Sequence, residues 1–309
     1  MSKVVVLGTG TMGVGIAAGF IAAGIDVVFL GRTSQRAQDA ITRVQEVAAS
    51  IDSLPESKPR GGVTPGTIEG WNDWNGVDWV IETVTENLEL KQKLFSSLDQ
   101  RVPPAIPIGS NSSGFPISKI AAGLSTAHRM FNAHYFMPAH IVPLVEIVLG
   151  EKSDPALAQQ VYDFYRNCGK KPVLVRKDIP GFLANRIQHA LMREALSLVQ
   201  DGIATPDDID TAVRFSFGFR YAAVGPMTQK EISGWEGMAI AAAEIYPSLS
   251  NTDHLPECVA SLVRAGKNGM KAGEGFRKWS PEDSAKVRKN YDTRLKAAFE
   301  VLQLAPDDA

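Results

Sequence analysis

The segment "KVVVLGTGTMGVG", residues 3–15, decides the fold of this chain. Its first part, residues 3–7, is an apolar, β-branched run that is typical of a buried parallel strand. Gly8 ends this run, and apolar residues then recur at helical spacing over residues 11–23. The run "DVVFL" (26–30) predicts a second strand directly afterwards. These elements form one β-α-β unit with a right-handed crossover, which is the building block of a doubly wound sheet.

The turn between the first strand and its helix, "GTGTMG", matches the G-x-G-x-x-G fingerprint in the context that the fingerprint requires. The three glycines permit, in order, a tight turn, close approach of backbone to a pyrophosphate, and packing of helix against strand. The helix N-terminus offers unpaired N–H groups and a positive dipole end to phosphates. The sequence therefore predicts dinucleotide binding at Gly8, Gly10, Thr11, Met12 and Gly13.

The end of the second strand selects the dinucleotide. A carboxylate at this position would hold the adenosine ribose of NAD, but the chain has Gly31 followed by Arg32. A guanidinium suits bidentate contact with a 2′-phosphate, and Thr33 and Ser34 add hydroxyl donors at a helix start. The alternative is that Arg32 is a solvated surface residue and Gly31 only a turn. We predict NADP as the cofactor, with NAD as the second choice.

Apolar runs continue the strand pattern through the first part of the chain. They predict strands at residues 77–82, 105–109, 130–135, 143–148 and 171–175, with helices between them, notably over 88–99 and 155–168. The segment "PESKPRGGVTPG" (55–66) holds three prolines and three glycines, and it predicts a loop.

After "KDIPGF" (177–182) the strand pattern stops and apolar residues recur only at helical spacing. Further helices are predicted near residues 206–216, 226–245, 255–265 and 281–300. We therefore expect an α/β protein with a doubly wound Rossmann-type domain over residues 1–178. An all-helical domain over residues 179–309 is expected to complete the active site and to form a homodimer.

Composition gives no support for nucleic acid, an acidic membrane or a metal as partner. A net charge of -2 over 309 residues gives no electrostatic reason to expect nucleic acid or an acidic membrane. The two cysteines form no metal or redox motif, which suits a reducing compartment. The N-terminal residues hold no basic region followed by a long apolar stretch, so we expect no signal peptide and a cytoplasmic protein.

From Lys3 to about Trp279 the chain resembles the 3-hydroxyacyl-CoA dehydrogenase family. It is most similar to the small-substrate branch, which includes lambda-crystallin (L-gulonate 3-dehydrogenase) and L-carnitine dehydrogenase. The matching segments are "GTGTMGVGIA", "IETVTENLELKQKLF", "GSNSSG", "AHYFMPAHIVPLVEIV", "PGFLANRIQHALMREAL", "FGFRYAAVGP" and "KAGEGF".

The resemblance implies a role for each matching site residue. His134 would be the general acid/base and Glu146 its orienting carboxylate, while Ser113 and Asn185 would hydrogen-bond the reacting oxygen or the histidine. The positions that line the cofactor in the family are Glu86, Lys91, Asn111 and Lys271. The family usually has Asn three residues after the catalytic His, and this chain has Met137 there, so an apolar thioether replaces an amide that could bond substrate or cofactor.

The residues themselves support the same pair. Hydride transfer from an alcohol needs a base for the hydroxyl proton, and histidine titrates near neutral pH. Glu146 lies in the apolar run "IVPLVEIV", where an unpaired carboxylate would be costly, so a partnered imidazole explains it. The alternative is a core histidine without a catalytic role. His128 and His140 do not extend the pair into a metal-ligand pattern, so we predict no metal.

In the helical region, Arg220 followed by Tyr221 can clamp a carboxylate, and a domain or dimer salt bridge is the alternative for Arg220. We therefore expect an NAD(P)-dependent dehydrogenase that interconverts a secondary alcohol and a ketone on a small hydroxy or keto acid. Two alternatives stay open. One is an acyl-CoA or aromatic aldehyde/alcohol dehydrogenase of the same family, and the other is a catalytically weak, crystallin-like NADP-binding protein.

Overall fold

The computed structural model describes residues 2–51 and 59–303, and its centre is one eight-stranded sheet. In chain order the strands are β1 (Lys3–Leu7), β2 (Asp26–Gly31), β3 (Val63–Thr67), β4 (Val77–Glu82), β5 (Ile108–Ser110), β6 (Met130–Tyr135), β7 (Leu144–Leu149) and β8 (Lys171–Val175). In space they follow the order β3-β2-β1-β4-β5-β6-β7-β8. The order reverses between β1 and β4, and ligands of open α/β sheets bind at such a switch point.

Helices cover both faces of the sheet, as a doubly wound fold requires. They are α1 (Thr11–Ala22), α2 (Ser34–Ala49), α3 (Leu88–Arg101), α4 (Ile117–Ile120) and α5 (Pro155–Asn167). One buried cluster joins apolar residues of α1, α2 and α5 to the sheet, and a second joins residues of α3 and α4 to its other face. The expected fold class is confirmed.

All neighbouring strands run parallel except β6 and β7, which pair antiparallel. Directly opposite residues of an antiparallel pair lie close together with their side chains on the same face of the sheet. His134 of β6 lies opposite Glu146 of β7. The register of this one pair of strands therefore brings the two predicted catalytic side chains together.

The prediction of a loop over residues 55–66 is wrong in its last part. Residues 55–58 lie outside the described residues, but residues 63–67 form β3, which pairs parallel with β2. Pro65 has no N–H to donate, and an edge strand tolerates this because it pairs on one side only.

The chain forms two compact units, Met1–Arg186 and Ile187–Ala309. From residue 184 onwards the described residues contain helices and two isolated bridges around Glu274. The helices are α6 (Ala184–Gln200), α7 (Pro206–Phe215), α8 (Phe217–Ala223), α9 (Pro226–Ser233), α10 (Trp235–Ile245), α11 (Glu257–Arg264) and α12 (Pro281–Gln303). The single helical stretch predicted over 226–245 is two helices, because Gly234 interrupts it at a φ of 82°. The predicted domain boundary after residue 178 stays a prediction.

The second unit contains almost no interior within a single chain. Among its described residues, only Ala195 and Pro256 are buried. Large apolar side chains are instead exposed along its helices, for example Phe215 at 73%, Phe219 at 74% and Ile240 at 73%. In the described part of the chain, no helix is both long enough and apolar enough to span a membrane.

Candidate active site

The glycine-rich turn after β1 has the geometry that a pyrophosphate needs. Gly8 has a φ of 114°, and a Cβ on Gly13 would come within 1.9 Å of the Gly8 carbonyl oxygen, so neither position tolerates a side chain. A Cβ on Gly10, in contrast, would have no neighbour within 4 Å, because the backbone there faces open space. No side chain caps the N-terminus of α1, so its first amides stay available to an anion. The turn therefore fits a dinucleotide phosphate.

The end of β2 supplies the surroundings of the adenosine ribose. Gly31 is buried, and a Cβ on it would lie 3.0 Å from the Ala37 amide nitrogen and from the Thr33 carbonyl oxygen. Thr33 caps α2, since its hydroxyl accepts a hydrogen bond from the Arg36 amide at 3.3 Å. Arg32 and Ser34 are exposed, and within the described residues Arg32 has no ion pair. The guanidinium of Arg32 is thus available to an external anion.

A buried ion pair lies at the carboxyl end of β4, beside the switch point. Lys91 of α3 donates to both carboxylate oxygens of Glu82, at 2.7 and 2.9 Å, and its Nζ lies 3.3 Å from Glu86. Ser110 of β5 also donates to Glu82, at 2.6 Å. Burial raises the pKa of Glu82, although Lys91 and the hydrogen bonds from Ser110 and Val84 act in the opposite direction. Lys91 therefore neutralises a carboxylate that is fully removed from water.

Glu86 ties this ion pair to the loop after β5. Its Oε1 accepts from the Ser112 hydroxyl at 2.5 Å and from the Gly114 amide at 3.0 Å. Burial acts to raise the pKa of Glu86, but the bonds from Ser112 and Gly114 and the charge of Lys91 outweigh it and lower the pKa.

In the loop after β5, the side chain of Asn111 is hydrogen-bonded to the protein, whereas that of Ser113 is exposed. Asn111 accepts a hydrogen bond from the Tyr135 amide at 2.9 Å, which fixes the loop against the end of β6. Ser113 is exposed next to this loop. Its side chain is therefore open to an external group, whereas the Asn111 carbonyl oxygen already has a partner.

His134 and Glu146 form a hydrogen-bonded pair at the ends of β6 and β7. Nδ1 of His134 lies 2.7 Å from Oε2 of Glu146, and both side chains are buried. This bond occupies one ring nitrogen and leaves Nε2 as the nitrogen that can exchange a proton with a ligand. Glu146 thereby orients the imidazole, which is the arrangement that the sequence predicts.

The second oxygen of Glu146 binds the start of α6. Oε1 accepts from the amides of Leu183 and Ala184, at 3.1 and 2.7 Å. A carboxylate at a helix N-terminus also interacts favourably with the helix dipole. Three donors therefore compensate the charge of this fully buried carboxylate. Asn185, the second residue of α6, is partly buried.

Apolar side chains surround the imidazole. The ring of Phe136 lies 4.7 Å from that of His134, and the ring of Phe182 lies 5.4 Å away, each in an edge-to-face arrangement. Met137, where the family usually has Asn, is 65% exposed. The histidine is thus oriented by one carboxylate in otherwise apolar surroundings.

The matches to family models decide the classification of this chain. The model of the 3-hydroxyacyl-CoA dehydrogenase NAD-binding domain matches residues 3–179, and the model of the 3-hydroxyacyl-CoA dehydrogenase C-terminal domain matches residues 181–279. The chain belongs to the 3-hydroxyacyl-CoA dehydrogenase family. It is accordingly an NAD(P)-dependent dehydrogenase with a Rossmann-type cofactor domain.

Individual family members are similar over nearly the whole chain. The chain is 33% identical to 5-formyl-3-hydroxy-2-methylpyridine 4-carboxylate 5-dehydrogenase of Mesorhizobium japonicum, covering 97% of this chain and 98% of that protein. It is 35% identical to an L-carnitine dehydrogenase of Streptomyces griseus, covering 81% and 75%. The solved structure of the pyridine carboxylate enzyme, described as an NAD+ dependent dismutase, superimposes with a TM-score of 0.89 over 98% of both chains at 31% identity. For (S)-3-hydroxybutyryl-CoA dehydrogenase of Ralstonia eutropha the TM-score is 0.71 at 28% identity, covering 90% and 99%.

Other predicted residues of this dehydrogenase lie in the second unit. Arg220 and Tyr221 are exposed on α8, and Lys271 lies in a 3-10 turn, Met270–Ala272. Among the ion pairs of the described residues, none involves Arg220, so the alternative of a salt bridge within its own unit lacks a partner. The residues described contain no group of three His, Cys, Asp or Glu side chains that could hold a metal ion.

Three residues that hold the site together are not among those predicted from the sequence. Glu82 pairs with Lys91, Ser110 donates a hydrogen bond to Glu82, and Phe182 packs against His134. Glu82 had a usable signal, since a carboxylate ends the apolar strand run "VDWVIE" at the switch point.

Proposed function

We propose that this chain oxidises an alcohol, or reduces the matching carbonyl compound, on a small carboxylic acid, with His134 as general acid/base. The observation that carries the proposal is the bond from His134 to the buried Glu146, which leaves Nε2 for the substrate. In oxidation Nε2 takes the hydroxyl proton, and in reduction it returns that proton to the carbonyl oxygen. When bound, the nicotinamide would supply the hydride acceptor or donor, and the turn from Gly8 to Gly13 would hold the pyrophosphate of the dinucleotide.

The substrate class is proposed from the second unit and from the relatives. A secondary alcohol on a small hydroxy acid is the first candidate, with Arg220 and Tyr221 binding its carboxylate. An aromatic aldehyde acid is the second candidate, favoured by the apolar surroundings of His134 and by the similarity to an enzyme of a formyl pyridine carboxylate. Initial rates with small hydroxy acids, aromatic aldehyde acids and a 3-hydroxyacyl-CoA separate these candidates. Efficient turnover of the CoA ester alone contradicts the proposal.

Replacing Arg220 by Met is expected to raise KM for the acid by about 10- to 100-fold, because a hydrogen bond to a charged group contributes about 1.5–3 kcal/mol. The melting temperature should hardly change, since Arg220 is exposed. The matched control is Arg214→Met, another exposed arginine of the same unit. Unchanged kinetics of the Arg220 variant with every small acid tested would remove this residue from the site.

NADP preference is proposed from Gly31 and Arg32, because the exposed guanidinium has no ion pair among the described residues and no carboxylate ends β2. Arg32→Gln should weaken NADPH binding by about 10- to 100-fold and leave NADH binding nearly unchanged, since only the phosphate contact is lost. Arg43→Gln on the exposed side of α2 is the control. The crowded Cβ position makes Gly31 unsuitable for the test. A wild-type protein that binds NADH more tightly than NADPH overturns the preference.

Self-association through the second unit is also proposed, because its large apolar side chains are exposed in a single chain. Sedimentation analysis of the purified protein tests it, and a monomer at micromolar concentration contradicts it. The cytoplasmic location and the absence of nucleic-acid and membrane partners stay predictions.

A further inference from the structure

Phe182 has an unusual backbone conformation beside the catalytic pair. Its φ is 49°, and within the described residues it is the one non-glycine residue with a positive φ. Large side chains avoid this left-handed region, where Gly, Asn and Asp are favoured. Phe182 is nevertheless 2% exposed, and it lies in the turn that leads into α6. A strained residue of this kind persists only where its surroundings hold it.

The backbone of this turn presents two amides to Glu146. Gly181, with a φ of 76°, precedes Phe182, and the amides of Leu183 and Ala184 follow it. Successive N–H groups in turns of this kind form a concave site for an anion. Both amides donate to the same oxygen, Oε1 of Glu146, at 3.1 and 2.7 Å. The conformation of Phe182 therefore aims the donors that hold the carboxylate.

The side chain of Phe182 contacts the other member of the pair. Its ring lies edge-to-face against the His134 imidazole, with 5.4 Å between ring centroids. Glycine would meet the backbone requirement without strain, but it would leave this side of the imidazole without a packing partner. The packing of the ring against the imidazole explains why a large apolar residue occupies a position whose backbone conformation favours glycine.

We infer that Phe182 is a positioning residue for the His134–Glu146 pair: its left-handed backbone fixes Glu146, and its ring fixes the imidazole. The inference rests on the function proposed above. Phe182 takes no part in proton or hydride transfer. It acts by orienting the imidazole of His134. Since α6 begins two residues later, the same turn leads from Phe182 into the first residue of this helix, Ala184, whose amide donates to Glu146.

The test replaces Phe182 by Leu, which keeps an apolar side chain and removes the ring. We expect kcat to fall by about 10- to 100-fold, because a small misplacement of a catalytic group has an effect of this size. KM and the dissociation constant of NADPH should stay within about threefold of wild type, since no substrate or cofactor contact is lost. Phe131→Leu is the matched control, because Phe131 is a fully buried aromatic residue of β6 in the sheet core. It should lower the melting temperature without the loss of kcat.

A double-mutant cycle with Glu146→Gln shows whether Phe182 acts through the pair. If it does, Phe182→Leu has a much smaller effect on kcat in the Glu146→Gln protein than in wild type. Additive effects, or a wild-type kcat for Phe182→Leu, overturn the inference. If the Leu variant does not fold, Phe182→Met is measured in its place, because its flexible side chain fills the space more readily.

His134→Ala in the same assay separates the two levels of the proposal. Wild-type turnover of His134→Ala overturns the proposed function itself. Loss of turnover in His134→Ala together with a normal Phe182→Leu protein overturns only the role of Phe182.

Discussion

Replacing His134 by Ala is expected to lower kcat by about 10²–10⁴, which is the usual contribution of a positioned general acid/base. In the proposed mechanism the Nε2 atom of the imidazole exchanges the substrate proton, and alanine offers no group that could do so. Binding of the nicotinamide dinucleotide should be nearly unchanged, because β4 and β5 lie between β1, which leads into the glycine-rich turn, and β6. Pre-steady-state and steady-state rates of NAD(P)H formation measure turnover, and fluorescence measures dinucleotide binding.

Two further variants sharpen this result. Glu146→Gln should lower kcat less than His134→Ala, because it weakens the orientation of the imidazole without removing it. His128→Ala is the control, since His128 is an exposed histidine in the 3-10 turn Ala127–Arg129 before β6. Normal turnover in His134→Ala would contradict the mechanism.

Replacing Lys91 by Met is expected to lower the free energy of unfolding by about 3–5 kcal/mol, the usual effect of removing one partner of a buried ion pair. Lys91 and Glu82 are 1% and 0% exposed, so the carboxylate would lose its counter-ion without gaining water. Denaturant unfolding at neutral pH measures the loss. Lys93→Met on the same helix is the control, because its pair with Glu89 lies 2.7 Å apart but is exposed to solvent, and little change is expected.

The decrease in the free energy of unfolding of the Lys91→Met variant should depend on pH. Burial raises the pKa of Glu82, and removal of Lys91 removes the charge that opposes this effect. A carboxyl group whose pKa is higher in the folded state stabilises that state at pH values below its unfolded pKa. This contribution is lost as the pH rises through the folded-state pKa, so the destabilisation should be smaller in acid than at neutral pH. Adding Glu82→Gln to Lys91→Met should recover part of the stability. A pH-independent loss without recovery would contradict the ion-pair account.

Local sequence patterns predict the elements of the sheet well. The runs at residues 3–7 and 77–82 are mostly apolar because nearly all of their residues are buried, and each strand begins and ends as expected. The edge strand β3 escapes such a pattern, since Pro65 and Gly66 are typical of loops and only pairing with β2 makes them a strand. Whether a strand lies at the edge of a sheet depends on the tertiary structure, so a short segment of sequence cannot predict it.

The candidate site likewise contains residues that local sequence patterns predict and residues that only the tertiary structure brings together. His134 and Glu146 can be paired from sequence because a buried carboxylate in an apolar strand requires a partner. Glu82 and Ser110 lie 28 residues apart, and only the order of β4 and β5 in the sheet joins them. The left-handed backbone of Phe182 is likewise invisible, because its residue type indicates the opposite conformation.

The second unit should tolerate polar substitutions at its apolar positions better than the sheet does. A polar substitution at Val5 places a polar group in the buried core of the sheet. A polar substitution at Phe219 or Ile240 changes a side chain that is exposed in the single chain. With Ala195 and Pro256 as the buried residues of its described part, this unit has little interior through which such a substitution can act. Hydrophobicity along α8 to α12 therefore describes exposed surface rather than burial within a single chain, and under the proposed self-association a polar substitution there would change the interface between copies.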